Sequence, residues 1–326
     1  MKLQPDISII IPFLNEESNL CRLGAELLRF TQANTNIRFE IILVNDGSTD
    51  QSKKMILNNP FPADTQLINL SQNFGSHAAL RAGITKAAGR YITFLYADLQ
   101  DPMDNIIRMY EKTGSENNII WAFRKQTSNS FFEKVFSRVY AKLMKLYVNP
   151  KYPAQGFDVV MFDRKVAHEI NKNIESNSSV FLQILNLGFR SDSVFYTKEK
   201  RKAGRSKWTL AKKIKLLIDS FVGFSFAPIR LVSLIGITFF FIGLIWTAYI
   251  VFRKLVFNDL ASGWPALLSV LMVGFGITNI ALGIIAEYLW RTLDASRKRP
   301  VFIIDDIVQL EEATFSKLHT AVMDHA

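Results

Sequence analysis

The chain has 326 residues, enough for one domain of roughly 200 residues and a second, smaller part. Its 39 Lys and Arg outnumber 29 Asp and Glu, giving a formal net charge of +10, and 49% of its residues are hydrophobic. A single cysteine, Cys21, excludes an intrachain disulfide framework, and four scattered histidines without ligand spacing argue against a zinc centre.

No secretory leader is expected, because Met1–Pro5 runs straight into Ile7–Phe13, a stretch too short for an apolar leader core. The first half then alternates β-rich runs with helical patterns. Strands are predicted at Ile7–Pro12, Phe39–Val44, Gln66–Leu70, Tyr91–Leu95 and Ile119–Phe123. Helices are predicted at Glu17–Ala33, Ser52–Leu57, Ser76–Ala88 and Asp104–Thr113. Apolar strands of this length between helices imply a parallel sheet with both faces covered. Ligands of such sheets bind beyond the carboxyl ends of the strands. Polar clusters fall there: Asn15-Glu16-Glu17, Asn45-Asp46-Gly47-Ser48, Asn73-Phe74-Gly75, and Asp98 to Asp101.

Phe131–Tyr147 is amphipathic, with Phe132, Val135, Phe136, Val139, Leu143 and Leu146 opposite Lys134, Arg138, Lys142 and Lys145. It fits a helix packed on the sheet or one lying at a membrane interface. Trp208–Phe226 repeats the pattern directly before an apolar run, which reads as an interfacial helix, and Pro228 separates the two. Leu231–Phe252 and Trp264–Ala286 contain no charged residue. At about 1.5 Å per residue each can cross a hydrocarbon core of about 30 Å.

Basic residues crowd both flanks of this pair: Lys198, Lys200, Arg201, Lys202, Arg205, Lys207, Lys212, Lys213 and Lys215 before it, Arg291, Arg297, Lys298 and Arg299 after it. The positive-inside rule therefore puts both ends, and the large N-terminal domain, in the cytoplasm. Clustering beside the spans favours anionic headgroups or phosphates over nucleic acid. Beyond Pro300 the chain reads as Val301-Phe-Ile-Ile304 followed by an acidic-to-mixed helix.

Two segments carry chemistry. In Val44-Asn-Asp-Gly-Ser-Thr-Asp50 a carboxylate follows a buried strand, and Asp46 can accept hydrogen bonds from a nucleobase or ribose. The same residues also suit an Asp-Gly turn with Ser48 or Asp50 capping the next helix. In Asp98-Leu-Gln-Asp-Pro102 the Asp98 carboxylate and Gln100 amide sit two apart and face one side if the segment is extended. Such oxygen donors suit Mg²⁺ or Mn²⁺ bridging to a diphosphate, while Asp101-Pro102 also suits the start of a helix.

Taken in order, further pieces join these. They are Ile9-Ile-Ile-Pro-Phe-Leu-Asn-Glu16, Ala78-Ala-Leu80, Ala82-Gly83, Gly156-Phe-Asp158 and Arg201-Lys-Ala-Gly-Arg-Ser-Lys-Trp208. With them the chain resembles the polyprenyl-phosphate glycosyltransferases. These form the dolichol-phosphate-mannose-synthase-like branch of glycosyltransferase family 2, here in its bacterial form with a C-terminal two-helix membrane hairpin. The resemblance implies an α/β GT-A (Rossmann-like) nucleotide-sugar domain, interfacial amphipathic helices and a two-span transmembrane hairpin. It divides the chain into a cytoplasmic catalytic domain (1–207), a juxtamembrane interfacial helix (208–228) and a first span (229–253). A short external loop (254–263), a second span (264–290) and a cytoplasmic tail (291–326) follow.

The resemblance also implies roles. Pro12, Glu16 and Asp46 would form the nucleoside pocket, with Asn73 and Gly75 beside it, and Asp98 and Gln100 would hold Mg²⁺ or Mn²⁺ and the diphosphate. Asp158 would act near the acceptor as a catalytic base or an orienting group; the alternative is a cap at a strand start. Arg124 would meet the lipid phosphate, and Arg201, Arg205, Ser206 and Lys207 would bind phosphates, although a polybasic membrane anchor uses the same residues. Tyr96 stands where many relatives have the first Asp of Asp-X-Asp.

The implied activity is inverting transfer of a sugar, UDP-glucose favoured as donor, to polyprenyl (undecaprenyl) phosphate at the cytoplasmic leaflet of a bacterial inner membrane. The implied assembly is a homo-oligomer without nucleic acid. The competing expectations are a GDP-mannose-dependent mannosyltransferase and a catalytically degenerate two-span adaptor. A processive synthase is set aside because its Gln-X-X-Arg-Trp motif is absent.

Overall fold

The computed structural model describes residues 4–114, 116–125, 131–154, 156–157, 159–175, 178–197, 227–257, 263–297 and 299–310. They fall into two compact units, Met1–Leu216 with Pro300–Ala326, and Leu217–Arg299. The interfacial helix expected before the first apolar run and the tail beyond 310 lie outside the described residues.

The first unit is built on an eight-stranded sheet in the order β7-β5-β6-β4-β1-β2-β3-β8. Its first four strands are β1 (Ile7–Phe13), β2 (Phe39–Asn45), β3 (Thr65–Leu70) and β4 (Tyr91–Phe94). They are parallel to one another, as expected. The sheet as a whole is mixed, which corrects the all-parallel expectation. β6 (Val159–Asp163) runs antiparallel between β4 and β5 (Ile119–Arg124), and β7 (Ser191–Tyr196) lies parallel to β5 on the outside. At the other edge β8 (Ile304–Leu310) pairs antiparallel with β3.

β8 also corrects the helix expected beyond Ile304. Its exposure alternates residue by residue, with Val308 and Leu310 packed on the core, a period of two that suits a strand. The open edge of β3 supplies the hydrogen-bond partners that a lone stretch lacks.

Helices cover both faces. α1 (Glu17–Ala33), α2 (Ser52–Asn58) and α4 (Asp104–Glu111) lie on one side, where Leu20, Leu23, Leu27, Ile106 and Met109 meet Ile7, Ile9, Ile11, Ile41 and Leu43. Burying each such side chain stabilises the fold by roughly 1.5–3 kcal/mol. On the other side lie α3 (Ser76–Lys86), α6 (Arg164–Lys172) and α7 (Val180–Asn186). α3 presses closely on β1, because a Cβ at Gly83 would sit 2.3 Å from Ile10 Cγ2. α5 (Phe131–Tyr147) is the helix its pattern predicts, with Val139, Leu146 and Tyr147 exposed.

The second unit is a pair of long helices packed on each other, α8 (Ala227–Phe257) and α9 (Trp264–Ser296). Large apolar side chains are exposed along both, among them Leu234, Phe241, Ile245, Phe252, Phe275, Ile280 and Leu289. Among the described residues one window, Val273–Trp290, is long and apolar enough to cross a membrane, and α8 contributes a shorter apolar stretch, Val232–Gly243.

Candidate active site

The strand order reverses direction at β1, with β2 and β3 on one side and β4 on the other. This is the switch point at which open α/β sheets form a crevice beyond their carboxyl ends. β4 pairs only with Ile7–Ile10, so β1 continues alone on that side to Pro12 and Phe13. Pro12 is buried there, where its missing N–H removes no bond to β4. The carboxyl ends of β1 to β5 and β7 all reach this edge, and antiparallel β6 begins at it.

The loops after β1 and β2 are stitched together. Asn15 N donates to Ser48 Oγ at 2.9 Å, and Thr49 N donates back to Asn15 Oδ1 at 2.8 Å. Glu16 N donates to Ser52 Oγ at 3.0 Å, and the Glu16 carboxylate accepts from Asn19 Nδ2 at 2.6 Å. Asp50 accepts from Glu17 N at 3.2 Å and from Ser52 N at 3.0 Å, an Asx turn just ahead of α2; the N-cap of that helix is Gln51, which corrects the expectation that Ser48 or Asp50 caps it.

Asp46 ties in the loop after β3. It is 3% exposed, and its carboxylate accepts from Phe74 N at 2.8 Å and Gly75 N at 3.1 Å. Asn73 Oδ1 accepts from the same Gly75 amide at 3.0 Å. Gly47 and Gly75 have φ of +70° and +96°, and a Cβ on Gly47 would lie 2.5 Å from the backbone of Gln72 and Asn73. Thus Pro12, Glu16, Asp46, Asn73 and Gly75 come together at one end of the crevice, with Asp46 engaged in holding the loops.

Burial pushes the Asp46 carboxyl up to about 6, against the Phe74 and Gly75 amides, which favour its charged form. A raised folded-state pKa means stability that is present below pH 3.8 and lost as pH rises through about 6. At full effect the loss is at most about 3 kcal/mol. Asp46→Asn should therefore gain on the wild type between pH 4.5 and 7.5 when thermal midpoints are compared. A difference that stays constant across that range contradicts the assignment.

Beyond β4 the chain does not stay extended, which corrects the geometry expected for Asp98 and Gln100. Leu99 takes φ +52° and its N–H donates to Tyr96 O at 3.2 Å, closing a turn. A left-handed leucine costs roughly 1–2 kcal/mol. Within this turn Gln100 N donates to Asp98 Oδ1 at 3.3 Å, and both side chains remain partly exposed. Asp101 is buried and accepts from Tyr196 Oη at 2.5 Å, which ties the turn to the end of β7. Arg124 ends β5 at the same edge. Among the described residues no group of three or more His, Cys, Asp or Glu could hold a metal ion. Asp98 and Gln100 supply two hard oxygen donors on one turn, which fits a cation that completes its shell from phosphate and water.

The sequence model of glycosyl transferase family 2 matches residues 8–170, which take in β1 to β6 and the loops of the crevice after β1, β2, β3 and β4 but not β7 or β8. The chain belongs to glycosyl transferase family 2. It is 30% identical to the uncharacterized glycosyltransferase YkcC of Bacillus subtilis strain 168, over 93% of this chain and 94% of that one. It is 30% identical to the prophage bactoprenol glucosyl transferase homolog of Escherichia coli K12, over 91% of this chain and 98% of that one. It is 27% identical to the undecaprenyl-phosphate 4-deoxy-4-formamido-L-arabinose transferase of Proteus mirabilis HI4320, over 94% and 95%. The sheet with its crevice is thus the GT-A, Rossmann-like domain of a family 2 enzyme.

In this family 2 chain the expected Asp158, Arg201, Arg205, Ser206 and Lys207 lie outside the described residues. One group behind the crevice was not foreseen. Arg81 is 1% exposed in the middle of α3 and donates to Ser178 O at 3.2 Å, Ser178 Oγ at 2.7 Å and Gln183 Oε1 at 3.0 Å. Its only sequence signal is a charge inside the otherwise small and apolar run Ala78–Ile84. One turn earlier, His77 rests edge-on against Phe181. Burial, then the Arg81 charge, hold its pKa down to about 4, so it is neutral at neutral pH.

Proposed function

We propose that this family 2 enzyme transfers a sugar from a nucleotide diphosphate donor to a polyprenyl monophosphate, with inversion. The observation that carries the reading is the reach of the relatives. Two that name a bactoprenol or undecaprenyl-phosphate acceptor match over 91% and 94% of this chain, more than the first unit alone supplies. The donor nucleoside is assigned to Pro12, Glu16, Asp46, Asn73 and Gly75, and its diphosphate to Asp98 and Gln100 with Mg²⁺ or Mn²⁺. That cation supplies charge to offset the departing diphosphate.

An acceptor phosphate oxygen attacks the anomeric carbon, and the bond to the nucleoside diphosphate breaks on the opposite face. The acceptor is already largely ionised at neutral pH, with a second pKa near 6, so little proton removal is needed. Asp158, next in the chain to the start of β6, is assigned to orienting the acceptor or taking its last proton. Arg124, Arg201, Arg205, Ser206 and Lys207 are assigned to phosphate oxygens. Catalysis is then positioning plus charge stabilisation.

The same reading makes α8 and α9 a membrane hairpin with the catalytic unit in the cytoplasm. Topology supports it. The chain leaves the sheet after Tyr196 and rejoins it at Ile304, both in one unit, so any crossings between them are even in number. Val273–Trp290 alone is therefore not enough, and α8 is the natural second span. An introduced Gly263→Cys, with Cys21→Ser, should react with an impermeant maleimide on intact cells, and Glu111→Cys should not; the reverse pattern contradicts the orientation. A homo-oligomer, expected from the resemblance, is checked by the mass of the detergent-solubilised complex.

UDP-glucose is the favoured donor, supported by the glucosyl relative's name. Purified chain with undecaprenyl phosphate and Mg²⁺ should show the highest kcat/KM with UDP-glucose in a panel including GDP-mannose. Preference for GDP-mannose would overturn the sugar but keep the acceptor class.

A further inference from the structure

A polar ladder crosses three strands at the carboxyl edge. Register pairs Asn45 of β2 with Asn69 of β3, and Asn69 with Asp306 of β8. Asn45 and Asn69 are buried, 5% and 3% exposed. Asn69 Nδ2 donates to Asp306 Oδ1, Asn45 Nδ2 donates to Asn69 Oδ1 at 2.9 Å, and Ser48 N donates to Asn45 Oδ1 at 2.9 Å. At the outer end Lys53 Nζ of α2 donates to Asp306 Oδ2 at 3.0 Å.

The sense of the ladder is forced from Asp306. An ionised carboxylate only accepts hydrogen bonds. Asn69 must turn its NH₂ toward β8 and its carbonyl toward Asn45. Asn45 must then turn its own NH₂ toward Asn69, which leaves its carbonyl for the Ser48 amide. Flipping either amide would set donor against donor or acceptor against acceptor in a buried place, where unmade hydrogen bonds are costly. The last bond closes the tight turn at Gly47, on which Asp46 sits and whose Ser48 hydroxyl receives Asn15 N.

We infer that Asp306 is a positioning residue for the donor nucleotide. Carried on the strand that follows the helical pair, its carboxylate sets the hydrogen-bond sense of the Asn69–Asn45 ladder and thereby the shape of the Asn45–Ser48 loop. The inference rests on the proposed reading of that loop as the nucleoside pocket. Donor affinity then depends on a residue far along the chain that touches no substrate. Acceptor affinity and the chemical step do not share that dependence.

The test uses the full chain in detergent: wild type, Asp306→Ala, Asp306→Asn, and Asp305→Ala as an exposed neighbour on the same strand. Binding of UDP and of GDP is titrated, and KM for donor and acceptor and kcat are measured. Asp306→Ala should weaken the nucleotide that the wild type binds, and raise donor KM, by about tenfold. Acceptor KM and kcat should stay within about twofold. Asp306→Asn keeps the shape and an acceptor oxygen but not the forced sense, and should fall between. Asp305→Ala should match the wild type. A general loss of folded protein would lower kcat without this split and overturns the inference. So does an Asp306→Ala affinity within twofold of wild type, or equal rises in donor and acceptor KM. If the wild type binds neither nucleotide, the pocket reading falls and takes the inference with it.

Discussion

Asp98→Ala should lower sugar transfer by about 100- to 1,000-fold with the fold intact, the scale on which removing one preorganised charge-stabilising group acts. Asp98 sits partly exposed on a turn beyond β4, outside the core, so its removal leaves the packing of the sheet alone. When the Asp98 side chain, which accepts from Gln100 N at 3.3 Å, is removed, the turn keeps its backbone bond from Leu99 N to Tyr96 O and its tie through the buried Asp101 beneath Tyr196. Activity and fold are therefore separable. The check is kcat under saturating donor and metal, beside the thermal midpoint. Retention of a third or more of wild-type kcat sinks the role given to Asp98. Because Tyr96 occupies the place of a possible further carboxylate, dependence on this one side chain should be acute.

The largest stability effect is expected at Arg81. Arg81→Met removes a guanidinium that is 1% exposed and leaves Ser178 O, Ser178 Oγ and Gln183 Oε1 without their donor. Each buried acceptor left without a donor costs about 1–3 kcal/mol, so losing the shared donor of these neutral groups costs about 3–5 kcal/mol in all. In a domain of this size that lowers the midpoint of thermal unfolding by roughly 10 °C. Arg81→Lys should rescue little, since a lysine cannot present the planar fork that reaches Ser178 and Gln183 together. A midpoint within 2 °C of wild type for Arg81→Met would show that α7 carries no stability through this contact.

The contrast between these two residues shows what a sequence reveals. Asp98 is a candidate in the sequence because it stands after a strand in a polar cluster, a purely local pattern. Arg81 sits in the middle of a helix, and its value comes from Ser178 and Gln183, about a hundred residues away in the chain. The strands up to Ile119 were legible for the same local reason: apolar runs bounded by polar turns. Direction and partnership were not. Nothing in Val159–Asp163 says that it runs antiparallel between β4 and β5, and nothing in Ile304–Leu310 says that it returns to the edge of β3. Ser191–Tyr196 alternates weakly because it is an edge strand, with Phe195 exposed. Asp46 is legible as a candidate from its place just after a buried strand. That its carboxylate clasps the amides of Phe74 and Gly75 is not, since that pairing depends on how β2 and β3 lie side by side.

The most direct measurement follows label from a radiolabelled UDP-glucose into lipid, using purified chain, Mg²⁺ and undecaprenyl phosphate. The account predicts an acid-labile, lipid-extractable glucosyl phosphate of inverted anomeric configuration, absent when the acceptor is omitted. Label recovered only as free glucose, or no lipid-linked label from UDP-glucose, GDP-mannose or any other nucleotide sugar supplied, would contradict it.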